Sequence, residues 1–230
     1  MFRMHGTPWP TGRGATRKGG GRVAIDVYLL RHGQTPNNIT GERIYDAGLT
    51  ALGQAQAERL ARALGDVGLS LVVASPLRRS LETARPLAAA AGVGLSVWND
   101  LVEHNRWDPY TSLARDDLGR LFPEADIEPE MPPGGWMYPG PEPPTSVFAR
   151  VRRLQGRIAA LPAGTAVALV AHGTLNGMLL AAWLGLAPAA PVSFSQDNAC
   201  ISHLRLDMGA VQVVRCNDTA HLDGLRDRAN

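Results

Sequence analysis

The 230-residue chain predicts an α/β fold: a three-layer sandwich with a mostly parallel central sheet flanked by helices. Three observations lead there. Short apolar runs rich in β-branched residues alternate with helix-length segments of 3.6-residue period. Two of those runs break off into the same polar dipeptide, His-Gly, as strands of a parallel sheet would at one edge. The chain then closes on two short runs separated by a Met208-Gly209 turn, the pattern of a terminal hairpin.

Taken in order, VAIDVYLL (23–30) is a buried strand ending at a polar loop. LTALGQAQAERLARAL (49–64) places Leu49, Leu52, Gln56, Leu60 and Leu64 at helical spacing, with Thr50 as N-cap. SLVVAS (70–75) reads as a strand and PLRRSLETARPLAAAAG as the next helix, with Pro76 in its first turn. GLSVWND (94–100) is a further strand, and TAVALVAHG (165–173) is the clearest buried one, followed by the helical TLNGMLLAAWLGL. CISHLRLD and AVQVVRC form the hairpin. Pro123 to Pro144 breaks the alternation with eight prolines in 22 residues, five acids and no base. It is expected to be irregular, either a surface excursion or the wall of a cleft.

Composition excludes several classes. Apolar residues make up 45% and charged residues 19%, which is globular and not disordered. No apolar run approaches the ~20 residues of a membrane span, and residues 1–21 lack the apolar stretch of a signal peptide. The two cysteines cannot build a disulfide framework and are expected to be free thiols in a cytoplasmic protein. Net charge is +2, but residues 1–22 hold five basic residues and no acid, so residues 23–230 carry −3. The basic character therefore belongs to a flexible leader, with a single domain at 23–230. Neither a nucleic-acid partner nor a membrane is expected. A homodimer stays open.

The chemistry gathers at strand ends. One strand runs into Arg31-His32-Gly33 and another into His172-Gly173, so both histidines emerge at one sheet edge. The glycines would allow close approach of backbone or ligand. His5-Gly6 has the dipeptide but no strand before it, and no role is given to it. A neutral imidazole near its pKa of ~6.5 is a nucleophile for phosphoryl groups. Guanidinium forks match the charge on the transferring oxygens, and the leaving alkoxide needs a proton from an acid. Ser75-Pro76-Leu77-Arg78-Arg79 brings arginines to the same edge, and Glu103 follows the Val97-Trp98 strand. Such a set needs neither metal nor cofactor. His203 is read as a strand residue and His221 as structural.

LLRHGQTPNN resembles the signature of the histidine phosphatase superfamily, also called phosphoglycerate-mutase-like. The resemblance runs along nearly all of residues 23–230. It continues through Asp46-Ala47-Gly48-Leu49-Thr50, SPLRRSLETA and LVE at Glu103. PEPPTSVFARV follows, with Glu142 eight residues before Arg150, then VALVAHG, Asn198-Ala199 and NDTAHL. It implies that His32 is the phosphorylated nucleophile and that Arg31, Arg79 and His172 clamp the phosphoryl oxygens. Glu103 would be the proton donor and later the base for water. It also implies phosphate contact by Asn38. Thr35 continues the loop toward substrate or backbone. Arg79, four residues after the serine, matches the family's arginine better than Arg78 does.

The departures concern substrate. Glu103 is followed by His104-Asn105-Arg106-Trp107-Asp108-Pro109, neither the Phe-Gly and Trp-Glu-Gly pattern of many phosphatases nor the Arg-His-Tyr-Gly of cofactor-dependent mutases. Lys18 is the only lysine, so the lysines of a mutase's carboxylate site are missing; Arg106 is the candidate replacement. Gly173 is a further substrate-side candidate, and Trp136 and Tyr138 are either cleft residues or packing anchors. The expected activity is metal-independent hydrolysis of a small phosphorylated metabolite through phospho-His32. Mutase-type phosphoryl transfer is the alternative, and a binding or regulatory protein without turnover is the third.

Overall fold

In the computed structural model, which describes residues 24–41, 44–106, 110–188, 190–207 and 209–225, the first apolar run forms β1 (Ile25–Arg31). Helix α1 (Pro36–Thr40) and helix α2 (Ala51–Leu64) follow. The Thr50 hydroxyl accepts from the Gly53 N–H at 3.0 Å, the N-cap expected of it. β2 (Leu71–Ala74) leads to α3 (Arg78–Ala91), and β3 (Leu95–Val97) to a 3-10 turn at Asn99–Leu101. Pro76 precedes α3 instead of starting it, because Leu77 caps the helix, and Pro86 is carried inside. Next come β4 (Tyr110–Thr111), α4 (Arg115–Leu121), β5 (Ala125–Ile127) and β6 (Met137–Tyr138). The chain ends with α5 (Pro144–Ala159), β7 (Ala166–Ala171), α6 (Gly173–Trp183), β8 (Ile201–Asp207) and β9 (Ala210–Asp218).

Seven strands make one mixed sheet in the order β5-β3-β2-β7-β1-β8-β9. The first five in that order are parallel, and β8 and β9 add an antiparallel edge. Helices cover both faces, which is the expected three-layer arrangement. On one side Leu60 and Leu64 of α2 and Leu81 and Leu87 of α3 pack on the sheet. On the other, Val151, Leu154 and Ile158 of α5 meet Leu175 and Leu179 of α6. Each such side chain, fully withdrawn from water, stabilises the fold by about 1.5–3 kcal/mol before entropy is counted.

The proline-rich stretch is less irregular than its composition suggests. It supplies β5 to the main sheet, and β6 pairs with β4 in a small antiparallel ribbon. Pro144 opens α5, where a missing N–H costs nothing. The other prolines of the stretch fall between the elements, where a missing N–H breaks no ladder. The leader, with His5, lies outside the described residues, as do Trp107 and the hairpin's Met208. No helix among the described residues is long and apolar enough to cross a membrane.

This topology places the site. β1 and β7 are adjacent and parallel, with Arg31 level with Ala171. The chain leaves β1 toward α2 on one face and leaves β7 toward α6 on the other. Divergence of two neighbouring strands opens a crevice at their carboxyl ends. His32 and His172 are the next residue of each.

Candidate active site

The two imidazoles lie 5.2 Å apart between ring centroids, tilted by 59°. His32 is held by its backbone: its N–H donates to Ala171 O at 3.0 Å, and its carbonyl accepts from Ala199 N and Asn198 Nδ2, both at 3.1 Å. Ala199 pays for this with a φ of +54°, a left-handed conformation that costs an alanine roughly 1–2 kcal/mol. The His32 ring donates Nδ1–H to Gly33 O at 2.7 Å, which fixes the tautomer and leaves the Nε2 lone pair unused. Burial, reinforced by Arg79 and Arg31, pushes the imidazole well below its usual pKa. A neutral, oriented ring is a nucleophile.

Gly33 is needed for steric reasons. A Cβ there would lie 2.5 Å from Gly53 O, and one on Gly53 would lie 2.1 Å from Gln34 O. The catalytic loop thus rests directly on the first turn of α2. Gly173 differs: a Cβ there would meet only Arg31, at 3.5 Å or more, an ordinary contact. Close approach of backbone is therefore seen at Gly33, while at Gly173 the near neighbour is a side chain.

His172 is fully buried. Its Nε2 is 2.8 Å from Ser75 Oγ and 3.5 Å from Ser80 Oγ, while Nδ1 has no partner. In the tautomer in which the Ser75 hydroxyl donates to Nε2, the proton sits on Nδ1, the ring nitrogen that the fold leaves without a partner. Burial first, then Arg79, His32 and Arg31, holds this ring neutral too. Ser75 follows β2, which lies beside β7, so sheet order alone brings it to His172. Replacing Ser75 by alanine should cost about 1–3 kcal/mol, the usual penalty for orphaning a buried polar atom. It should also lower kcat at least about tenfold by freeing the tautomer. Denaturant titration and steady-state kinetics read the two effects separately.

The remaining candidates sort themselves by location. Arg31, Arg79, Thr35, Asn38, Glu103 and Arg106 line the same cavity of about 430 Å³ as His32. Arg78 does not: its Nε pairs with Glu82 at 2.7 Å on the surface. Asp46 Oδ1 accepts from the Arg78 N–H at 2.8 Å and so fixes the first turn of the helix that carries Arg79. Arg31 donates to Gln196 O at 2.6 Å, and its buried Nε has no partner. Asn38 Oδ1 accepts from Thr35 N and Oγ1 and from Asn198, which leaves its amide hydrogens as the loop's donors. Arg106 is exposed, with Nε 3.4 Å from His104 Nδ1. Gly173 lines an adjoining cleft.

Glu103 sits at the N-terminus of α6. Oε1 accepts from His104 N at 2.8 Å and Leu175 N at 3.0 Å, and Oε2 from Thr174 N at 3.1 Å. The segment before it is clamped by buried Arg150, which donates to Asp100 O at 2.8 Å and Val102 O at 2.5 Å. Arg150 in turn forks onto Glu142 at 3.2 and 2.7 Å. Tyr138 lines the catalytic cavity and donates to Glu103 O, whereas Trp136 packs edge-on against Tyr138 outside it. Sequence reasoning missed the supporting roles of Ser75, Asp46 and Gln196, and left Tyr138 open between cleft residue and packing anchor. Ser75 alone had a readable signal, as the third polar residue at a strand end. His203 belongs to β8 as expected, stacked on Tyr28 and bonded to Asp26 at 2.6 Å, and both cysteines are free thiols.

Comparison with known proteins agrees with this geometry. The family profile described as "Histidine phosphatase superfamily (branch 1)" matches residues 27–219. A protein named probable phosphoglycerate mutase GpmB, from Yersinia enterocolitica, is 32% identical over 212 residues, 86% of this chain and 95% of that protein. The native structure of a mycobacterial glucosyl-3-phosphoglycerate phosphatase is similar with TM-score 0.63 and 29% identity, covering 85% of this chain and 100% of that one. A putative alpha-ribazole-5'-P phosphatase from Escherichia coli shares the fold, with TM-score 0.65 and 24% identity over 85% and 97% of the two chains.

Proposed function

The chain belongs to the histidine phosphatase superfamily, and on that premise we propose that it is a metal-independent phosphatase acting through a phosphohistidine at His32. The observation that carries this reading is the unused Nε2 of a buried, neutral His32 in a cavity that Arg31 and Arg79 share. In the first step Nε2 attacks phosphorus, the phosphorus–oxygen ester bond breaks, and the leaving oxygen takes a proton from the Glu103 carboxyl group. In the second, Glu103 takes a proton from water as its oxygen attacks phosphorus. The phosphorus–nitrogen bond breaks and free phosphate leaves. Arg31 and Arg79 supply the positive charge that a transferring phosphoryl group demands, and His172 Nδ1–H donates to one of its oxygens.

Positive charge for this step comes from guanidinium groups, so phosphate release from an aryl phosphate should survive a chelator. Label from a phosphate-tagged substrate should appear on the protein in a base-stable, acid-labile bond. Absence of label under rapid quench, or activity that needs added divalent metal, would sink the reading.

The acid limb of kcat/KM gives a further check. His32 and His172 must be neutral, and both have pKa values held below the usual ~6.5. Activity attributable to the enzyme should therefore persist below pH 6.5. The same shifts bear on stability: the unfolded chain binds protons that the folded state refuses. Stability is full above pH ~6.5 and declines as pH falls below it. A pH series of thermal melts reads this directly.

The name of the Yersinia relative favours a second reading, mutase-type phosphoryl transfer. The catalytic groups are common to both, so the two differ in whether water reaches the phosphoenzyme. Conversion of 3-phosphoglycerate to 2-phosphoglycerate faster than phosphate release would establish the mutase.

A further inference from the structure

Building on the phosphatase reading, we propose that a large cleft beside α6 binds the alcohol half of the substrate. That alcohol is amphiphilic, with an apolar body carrying a second acidic group. The cleft, about 780 Å³, adjoins the catalytic cavity and shares Arg31, Glu103, His104, Arg106 and Thr174 with it. Its volume is that of a ligand site. Glu103, which hands its proton to the departing oxygen, stands on the shared boundary. The group that departs with this proton therefore lies next to the cleft.

The floor is apolar, and the core uses only part of it. Helix α6 turns Leu175, Leu179 and Leu180 toward the sheet and buries them completely. One apolar stripe is enough for a helix covered on one side. Yet Met178, Ala181 and Ala182 make a second stripe, half-buried, and it lines the cleft with Phe148 of α5 and Phe194. Met178, Ala182 and Phe194 pack in part against the core, and an apolar ligand body would cover the surface they leave facing the cleft.

The rim is basic. Arg106 and Arg152 are exposed there, and among the described residues neither is ion-paired. Among the described residues Glu103, already held by three backbone N–H groups, is the only acid lining the cleft. The guanidinium of Arg106 on the shared boundary and that of Arg152, which lines the cleft alone, match a carboxylate or phosphate carried by the body. A wholly polar alcohol would leave the floor wet, and a wholly apolar one would leave the rim unmatched.

Three monoesters separate the parts: phenyl phosphate, octyl phosphate, and octyl phosphate bearing a terminal carboxylate. Wild-type kcat/KM should rise about tenfold from phenyl to octyl, and again with the carboxylate. Ala181→Trp should cut the octyl-to-phenyl ratio about tenfold, and Arg152→Gln should cut the carboxylate-to-octyl ratio about fivefold. The corresponding phosphonates, as competitive inhibitors of the wild type, should follow the same order, which requires no variant to fold. Equal kcat/KM for phenyl and octyl phosphate, or ratios that the two substitutions leave unchanged, would overturn the proposal. So would a wild-type dimer that Ala181→Trp dissociates, since the cleft would then be a subunit interface. Failure to release phosphate even from phenyl phosphate would count against the phosphatase reading itself; release from it without preference would sink the cleft alone.

Discussion

Alanine at position 32 should abolish turnover on every phosphomonoester, with kcat falling by about 10⁴-fold or more, the scale on which removal of a covalent nucleophile is felt. Phosphoenzyme trapping should go blank at the same time. The loss is this large because nothing nearby can substitute. His172 has its Nε2 engaged with Ser75 Oγ, and His104, which also lines the cavity, is held between Glu142 O at 3.2 Å and Arg106 Nε at 3.4 Å. Stability should move much less. The alanine forfeits the 2.7 Å bond to Gly33 O, but it also removes a buried ring held beside two arginines. A nucleophile kept neutral by burial and like charge is a place where function is bought with stability. Circular dichroism and melting temperature should show a folded protein with no activity, and retained activity on phenyl phosphate would refute the role of His32.

How much of this was legible before the structure depends on how local the signal was. β1, β2 and β7 were readable because strands buried on both faces carry continuous apolar runs, and Gly or Pro marks their ends. The positions of His32, His172 and Ser75 at those ends followed from parallel topology alone. The choice between Arg78 and Arg79 rested on resemblance. Its physical reason is three-dimensional: Asp46, 32 residues upstream, caps the Arg78 N–H, while Glu82 draws the Arg78 side chain to the surface. Helix α5 was readable and went unread: Val147, Val151, Leu154 and Ile158 recur at helical spacing, but the prolines before them drew attention away. The tautomer of His32 was not readable, since a backbone carbonyl sets it, nor was the contact of His172 with the Ser75 hydroxyl. Nor was the cleft beside α6, because its second apolar stripe looks like core until the helix is seen to be covered on one side only.

The second large effect is expected at Arg150, a residue that touches no substrate. Its guanidinium is 2% exposed and makes four bonds: two to Glu142 and one each to the carbonyls of Asp100 and Val102. Arg150→Ala would leave a buried carboxylate without its partner and free two carbonyls at once. Breaking such a pair from one side costs about 3–5 kcal/mol, a large part of the 5–15 kcal/mol that holds a typical domain folded. The denaturation midpoint should drop accordingly. Arg150→Lys should recover little, because a single ammonium cannot reach the carboxylate fork and both carbonyls together. The informative measurement is on the enzyme that remains folded. The two carbonyls flank the segment ending at Glu103, so their release should displace the proton donor while leaving His32, just after β1, in place. Protonation matters when the leaving oxygen is basic and hardly at all when it is a nitrophenolate. The rate on an alkyl phosphate should therefore fall about tenfold or more relative to that on nitrophenyl phosphate. Equal losses on both substrates would mean that Arg150 supports the fold and not the position of Glu103.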